Sequence, residues 1–559
     1  MMPKKKFGCK ARALKLCRSF RHPLKTAQHA ATHLSFGRFK KWCLTECRNH
    51  PVPLDVDKNQ QDLVQIQTEK PSNSEDSEDT TNLSDAPAPN SAFSSPALSY
   101  HDASESQPSK RSDSAPEKRG KSFWDRRDFD AIHDIPDESV EKLVGDIVFQ
   151  EHPQCIKSCK VRWRRSGSFH QAMNVRVCCG SDAFDYILKV PFHGTRKSWC
   201  NGDAHALSSE AELMTYIYKN TTIPVPKIIA YDSWLQNSIG APYILMTKVS
   251  GMPATEIWLE KSEIERENAH LDADMPSEEV EERRENFLCS LAYCMSQLQT
   301  LEFSQIGAPV FDSESRVVGY EPYWRWHSHT QMKEIRPYGP FESSFDFFKY
   351  GVEEAFEPML DLDPENPADC QRFFHAAGLL KIVSIMFSTS PFVDSCKKGD
   401  ENETFVLRHD DLDLQNIFVD HNGDITGIID WDGCIAAPRS VGYSSVPAFL
   451  RRDWMVSALS QDRLPYLTWS HERYREMYAD AMAAYVGSDS KYTLKSPIYQ
   501  AAYALAFEDA DPRDLTSKIL NELPHFRRTE KERFLYKLGL GWPAAEELLS
   551  KELPALLEP

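Results

Sequence analysis

The chain has no apolar run of membrane-spanning length and no secretory hydrophobic region, which argues against a helical membrane anchor and a cleaved export signal. It has no C-x2-C spacing. The 14 cysteines fall irregularly, with Cys43/Cys47 and Cys155/Cys159 as C-x3-C pairs. That pattern fits neither a disulfide framework nor a paired-cysteine zinc fold, and suits reduced thiols in an intracellular chain. A small zinc site of Cys43, Cys47 and His50 is the one alternative. Acids are nearly missing from residues 1–48, where Glu46 stands alone against 13 Lys and Arg. The remainder reverses the balance, so that the whole carries a net charge of -18. An acidic body disfavours nucleic acid as a partner and mildly favours cationic ones. Internal repeats are also absent.

What is present divides into four parts. Residues 1–48 mix Lys and Arg with Leu, Phe and Ala, as in "KARALKLCRSFRHPLK". This basic tail suits a solvated arm, a membrane-surface contact, a nuclear signal or a mitochondrial presequence; the expected location is cytoplasmic, with the mitochondrion as alternative. Residues 49–120 include "PSNSEDSEDTTNLSDAPAPNSAFSSPALS", too poor in branched apolar residues to offset the entropy of ordering, and are expected to be disordered. Ser74 and Ser77 there are flanked by acids and are candidate phosphate acceptors.

From 121 to 248 short β-type runs alternate with one helix. "NVRVCC", "DYILKV" and "APYILMTKV" read as strands, and "SSEAELMTYIYKN" as a helix with Leu213, Tyr216 and Ile217 on one face and Ser208 or Ser209 as its cap. "TTIPVP" ends it, since proline enforces extended backbone. From 249 to 559 the period turns helical, with 405–430 as the one β-rich exception. The expectation is an α+β, two-lobed architecture: a small β-rich N-lobe and a large helical C-lobe after a disordered tail.

The densest chemistry lies in "FVLRHDDLDLQNIFVD". His409, Asp410, Asp411, Asp413 and Asn416 stand between two apolar β-type segments, where like charges gain nothing from one another. Beyond them "ITGIIDWDG" ends a β-branched run on Asp430, with Asp432 two residues on. Strands 417–420 and 425–429 joined by "HNGD" form a hairpin with an Asn-Gly turn, which brings Asn416 and Asp430 level. An amide oxygen beside a carboxylate suits Mg²⁺, a hard cation. Asp411 then sits next to the metal, placed to accept a proton. Lys189, inside the apolar strand "FDYILKVPF", is costly unless it is paired or faces a cleft, and Glu210 or Glu212 on the following helix can pair with it. "RRSGSF" offers a turn at Gly167 between Ser166 and Ser168, placed as a phosphate-covering loop with one glycine.

In this order the motifs resemble the aminoglycoside phosphotransferase family, whose fold is protein-kinase-like and which has choline- and fructosamine-kinase relatives. The resemblance spans about residues 160–450 and rests on "LRHDDLDLQNIFVD", "GIIDWDG", "SEAELMTYIYKNTTIPVP" and "APYILMTKVSG". It implies Asp411 as catalytic base, Asn416 and Asp430 as Mg²⁺ ligands, and Lys189 on the ATP phosphates with Glu210 holding it. Gly167 and Ser168 would cover the phosphates, Met246 and Lys248 would lie in the hinge, and His409 would brace the loop. Two departures stand out: Asp410 where relatives often carry glycine, and a polar insert, "HGTRKSWCNGDAHA", between Lys189 and Glu210. The implied activity is transfer of the ATP γ-phosphate to a hydroxyl of an unidentified small molecule. The alternative is a catalytically silent kinase-fold binding or scaffold protein regulated through its tail. A protein kinase is disfavoured, because "DWDG" replaces D-F-G and no A-P-E segment follows. "PYWRWHSH" (322–329) is a candidate lining for a cation pocket.

Overall fold

The computed structural model describes residues 125–559 except 152–155, 260–275, 328–333, 361, 364, 394–402, 455–470 and 509–510. The basic tail, the Ser/Pro/acidic segment with Ser74 and Ser77, the Cys43, Cys47 and His50 set, and Cys155 lie outside the described residues.

The N-terminal part opens with α1 (Phe129–His133) and α2 (Asp137–Glu151). Then follow β1 (Ile156–Ser166), β2 (His170–Cys179), β3 (Asp182–Pro191), α3 (Asn201–Asn220), β4 (Ile228–Asp232) and β5 (Tyr243–Thr247). The strands form one antiparallel sheet in the order β1-β2-β3-β5-β4. Side chains alternate across a strand, so Met173, Val175, Val177, Tyr186, Leu188 and Val190 share one face and bury against Val140, Val144 and Val148 of α2. Each buried aliphatic side chain contributes roughly 1.5–3 kcal/mol. The same alternation turns Lys189, between Leu188 and Val190, to the opposite face, where its register partners are Ala172 and Ile244.

Helix α3 begins earlier than its sequence pattern suggests. Ser208 and Ser209 lie inside it, not at its cap, and the last six residues of the segment that reads as a polar insert, 201–206, form its first turns. The cause is Asp203, whose carboxylate reaches back to accept from the Cys200 N–H at 2.9 Å.

The C-terminal part begins with β6 (Met252–Pro253), α4 (Ala254–Trp258) and α5 (Glu278–Ser296). Its next elements correct an expectation, because residues 302–338 are not helical. They form β7 (Glu302–Phe303), the hairpin β8 (Ala308–Phe311) with β9 (Val317–Glu321), and the hairpin β10 (Tyr323–His327) with β11 (Glu334–Tyr338). "APVF", "VVGYE" and "YWRWH" are β-branched and aromatic, and Gly307 and Pro309 interrupt any helical period. These hairpins buttress α3 from below. Trp324 packs so closely that a Cβ on Gly202 would lie 2.5 Å from its ring, and Tyr216 meets Phe311 at 4.7 Å between ring centroids.

Two long helices, α6 (Ser344–Leu360) and α7 (Pro367–Phe387), precede β12 (Phe405–Arg408), β13 (Ile417–Val419), β14 (Ile425–Ile428) and β15 (Ile435–Ala437). The helices α8 (His471–Tyr485), α9 (Ser490–Thr493), α10 (Ser496–Phe507), α11 (Pro512–Glu522), α12 (Lys531–Gly541) and α13 (Pro543–Leu557) complete the chain. The fold is mixed α+β, with a small β-rich lobe and a large helical one. Among the described residues no helix is long and apolar enough to cross a membrane.

Candidate active site

The cleft face of the N-terminal sheet supplies Lys189. Its Nζ lies 2.8 Å from Glu210 Oε1 on α3 and 2.7 Å from Asp430 Oδ1, just beyond β14. Glu212, the alternative partner, instead accepts from the Tyr231 hydroxyl at 2.8 Å. Burial alone would lower the proton affinity of Lys189, but the carboxylates of Asp430 and Glu210 outweigh it and hold the ammonium charged. Asp430 is likewise opposed by burial, yet Lys189 holds its carboxyl down to about 2. For Glu210 burial wins over Lys189 and pushes the carboxyl up to about 7. One ammonium is thus shared by two carboxylates, with Asp430 the ionised one.

The loop between β12 and β13 brings the other groups. Asn416 is buried, and its Nδ2 donates to Asp411 Oδ2 at 2.9 Å and to the Asp411 carbonyl at 3.0 Å. The Ile429 N–H donates to the Asn416 carbonyl at 2.9 Å, so Asn416 and Asp430 are adjacent as the hairpin predicts. The connection is longer than a two-residue Asn-Gly turn: the Gly423 N–H bonds the Asp420 carbonyl at 3.2 Å, with Gly423 at φ 93°. His409 braces the loop, its Nε2 lying 3.2 Å from the Ile429 carbonyl and its ring 4.6 Å from that of Trp431. Burial keeps it neutral, with its pKa lowered to about 4. Asp411 remains open to solvent, but desolvation by the surrounding walls, then the negative field of Asp413, Asp430 and Asp410, raises its carboxyl well above the usual range.

Asp430 holds a left-handed backbone, φ 61°, which a residue with a Cβ rarely adopts and which marks functional positions. A lysine from the third strand, a glutamate from the helix between the third and fourth strands, and a strained aspartate ending a hairpin meet at one point. These are the three residues that the sequence motifs set apart. Among solved structures, the chain is similar to an aminoglycoside phosphotransferase in ternary complex with AMP-PNP and hygromycin B, at 14% identity and a TM-score of 0.34, covering 74% of this chain and 98% of that one. It is also similar to a choline kinase of Cryptosporidium parvum, at 12% identity and a TM-score of 0.31, covering 74% and 99%. At these scores the likenesses add nothing to what the geometry carries. No family model matches the chain. A subtelomeric hrmA-associated cluster protein of Aspergillus fumigatus is 25% identical over an alignment of 292 residues that covers 45% of this chain and 54% of that protein. The chain therefore spans about half the length of the curated relatives it matches.

The remaining expected residues are placed unevenly. Gly167 and Ser168 form the tight β1–β2 turn, where Arg127 donates to the Ser168 carbonyl at 2.9 Å. Gly167 has no left-handed backbone, and a Cβ there would meet nothing nearer than 3.5 Å. Met246 is buried in β5 opposite Ile187, and Lys248 is exposed, its N–H donating to the Asp185 carbonyl at 3.1 Å. Among the described residues neither side chain bonds to Lys189, Glu210 or Asp430. Of the segment suggested for a cation pocket, Trp324 packs on α3 beside Gly202 and His205, while the Trp326 and His327 side chains and residues 328–329 lie outside the described residues.

Three features escape sequence reasoning. Gly251, at φ 89°, lets the segment after β5 touch the β13–β14 hairpin, since a Cβ would stand 2.3 Å from the Val419 carbonyl oxygen. Arg408 pairs with Asp410 and so compensates the extra charge beside Asp411, and Arg452 pairs with Asp413. Arg408 could have been suspected as a lone cation before three acids; Arg452 left no local signal. Two cavities of about 580 and 560 Å³ lie elsewhere, one lined by His375 and Arg513, the other by Gln297 and Tyr485.

Proposed function

We propose that this chain is an ATP- and Mg²⁺-dependent small-molecule kinase that moves the γ-phosphate of ATP to a hydroxyl of its acceptor. The observation that carries the reading is the convergence of Lys189, Glu210 and Asp430 beside the Asp411–Asn416 pair. Residues 121–248 bind the nucleotide, and 249–559 supply the catalytic loop and the acceptor site.

The donor set suits Mg²⁺. Asn416 spends its Nδ2 on Asp411, which leaves its amide oxygen for a cation, and Asp430 is ionised. Two protein oxygens are too few for an all-protein cage, and Mg²⁺ normally completes its shell with phosphates and water. When bound, the ion supplies neutralisation of charge on the transferring phosphoryl group.

The protein's own groups do the rest. Lys189 holds phosphate oxygens once nucleotide is present, and Glu210 keeps it in place. Asp411 receives the proton of the acceptor hydroxyl; the Asn416 bond to its Oδ2 fixes the carboxylate and leaves Oδ1 for that proton. Gly167 and Ser168 cover the phosphates, and the Met246–Lys248 backbone receives the base. Thermal unfolding tests the reading: ATP at about 100 times its Kd should add roughly 2.7 kcal/mol, only with Mg²⁺ present. An unchanged melting temperature in saturating ATP–Mg²⁺ would contradict it.

A further inference from the structure

The β1–β2 turn has little of its own to offer a phosphate. The Gly167 N–H is spent on the His170 carbonyl at 2.9 Å, the Ser166 hydroxyl lies 3.0 Å from His133 Nε2, and Arg127 holds the Ser168 carbonyl. A glycine-rich loop presents a run of backbone amide donors to phosphate oxygens, and a turn with one glycine, closed on itself, presents fewer. The first side chain past the turn is that of His170, which opens β2.

Strand alternation sets the face of His170. Gln171, Met173, Val175 and Val177 are buried and point one way, and the last three belong to the core that packs on α2. His170 and Ala172 therefore point the other way, together with Lys189, the register partner of Ala172. His170 itself pairs with Pro191, so it stands diagonally from Lys189, a spacing of about 7–8 Å that long side chains cover.

The imidazole is half-buried and has no hydrogen bond or ion pair among the described residues. Burial, then Lys189, keep it uncharged against the pull of Asp430. A neutral imidazole still carries one N–H donor. The Lys189 ammonium, by contrast, is already engaged by Glu210 and Asp430. An anion drawn to Lys189 thus meets in His170 a donor that is unspent.

We propose that His170 is a phosphate ligand of the nucleotide site: its imidazole N–H donates to an oxygen of the ATP β- or γ-phosphate beside Lys189. The assignment rests on the phosphotransferase reading and deepens it. Two donors from adjacent strands fix the orientation of a phosphoryl group, which a lone ammonium, a point charge, leaves free to turn.

Calorimetric titration of ATP–Mg²⁺ and of AMP into the full chain and its variants tests this. His170→Phe keeps a flat ring and His170→Ala leaves space, and both lack a donor. Each should weaken ATP–Mg²⁺ about tenfold and leave AMP unchanged. His170→Gln and His170→Asn return an amide N–H, and at least one of them should recover most of the ATP affinity. A packing role would instead lower both affinities together, with no rescue by either amide. Where AMP binds too weakly to titrate, the amide rescue decides alone. Unchanged ATP–Mg²⁺ affinity in His170→Phe and His170→Ala overturns the proposal, as does equal loss of AMP and ATP–Mg²⁺, or loss without rescue. In those cases wild type still binds ATP–Mg²⁺, so the kinase reading stands and only His170 leaves it. Wild type that binds no ATP–Mg²⁺ sinks both.

Discussion

Lys189 and Asp430 stand 241 positions apart in the chain and 2.7 Å apart in space. Their contact joins the sheet of one lobe to the hairpin of the other, and Glu210 completes it from α3. The arrangement places one cation between two carboxylates.

Removing that cation should therefore destabilise more than removing a surface lysine. Breaking a buried pair by deleting one partner costs about 3–5 kcal/mol, and the partial exposure of Asp430 puts Lys189→Met near about 3 kcal/mol. Adding Asp430→Asn should recover part of the loss, because the ionised carboxylate left without a partner is then neutral. Urea unfolding of the two single variants and the double variant forms the cycle. Strictly additive losses would show that the pair is not coupled.

Gly251→Ala should cost more than Gly240→Ala. Both positions are left-handed, at φ 89° and 66°, so both substitutions carry backbone strain of about 1–3 kcal/mol. Only at Gly251 does the new methyl also meet the Val419 carbonyl and Thr426 Oγ1, at 2.3 and 2.4 Å, whereas Gly240 faces open space. Equal losses in chemical denaturation would mean that the backbone at Gly251 does not press on the hairpin.

Stability should depend on His193 in acid. Burial, opposed by Asp203 and reinforced by Arg126 and Arg127, lowers its pKa from 6.5 to about 4. Between those values the unfolded chain binds a proton that the folded chain refuses. The contribution is present above pH 6.5 and lost as pH falls toward 4, by about 3 kcal/mol in total. His193→Gln removes this component, so the gap between variant and wild type should shift by that amount between pH 7.5 and pH 4. Parallel pH profiles would contradict it.

The sequence was most legible where chemistry needs fixed spacing. His409, Asp411, Asn416 and Asp430 follow one another closely, so a hairpin is enough to bring them together. Lys189 was legible because a lysine in an apolar strand needs a reason. The start of α3 was not, since Asp203 caps it through a contact that no hydrophobic period records. The hairpins of 302–338 fell in a stretch matching no known motif. Arg325, Arg408 and Glu508 come near one another only through tertiary packing, and nothing local in their segments announces it.

The central claim separates Asp411, which takes a proton, from Asp430, which holds the metal and through it the nucleotide. Calorimetric titration of ATP–Mg²⁺ into Asp411→Asn and Asp430→Asn tests it without knowledge of the acceptor. Asp411→Asn should bind nucleotide as wild type does, while turnover of any acceptor found falls about 10²–10⁴-fold. Asp430→Asn should lose nucleotide affinity as well. Equal loss of affinity in both variants would contradict the account and move the base from Asp411 to Asp410 or Asp413.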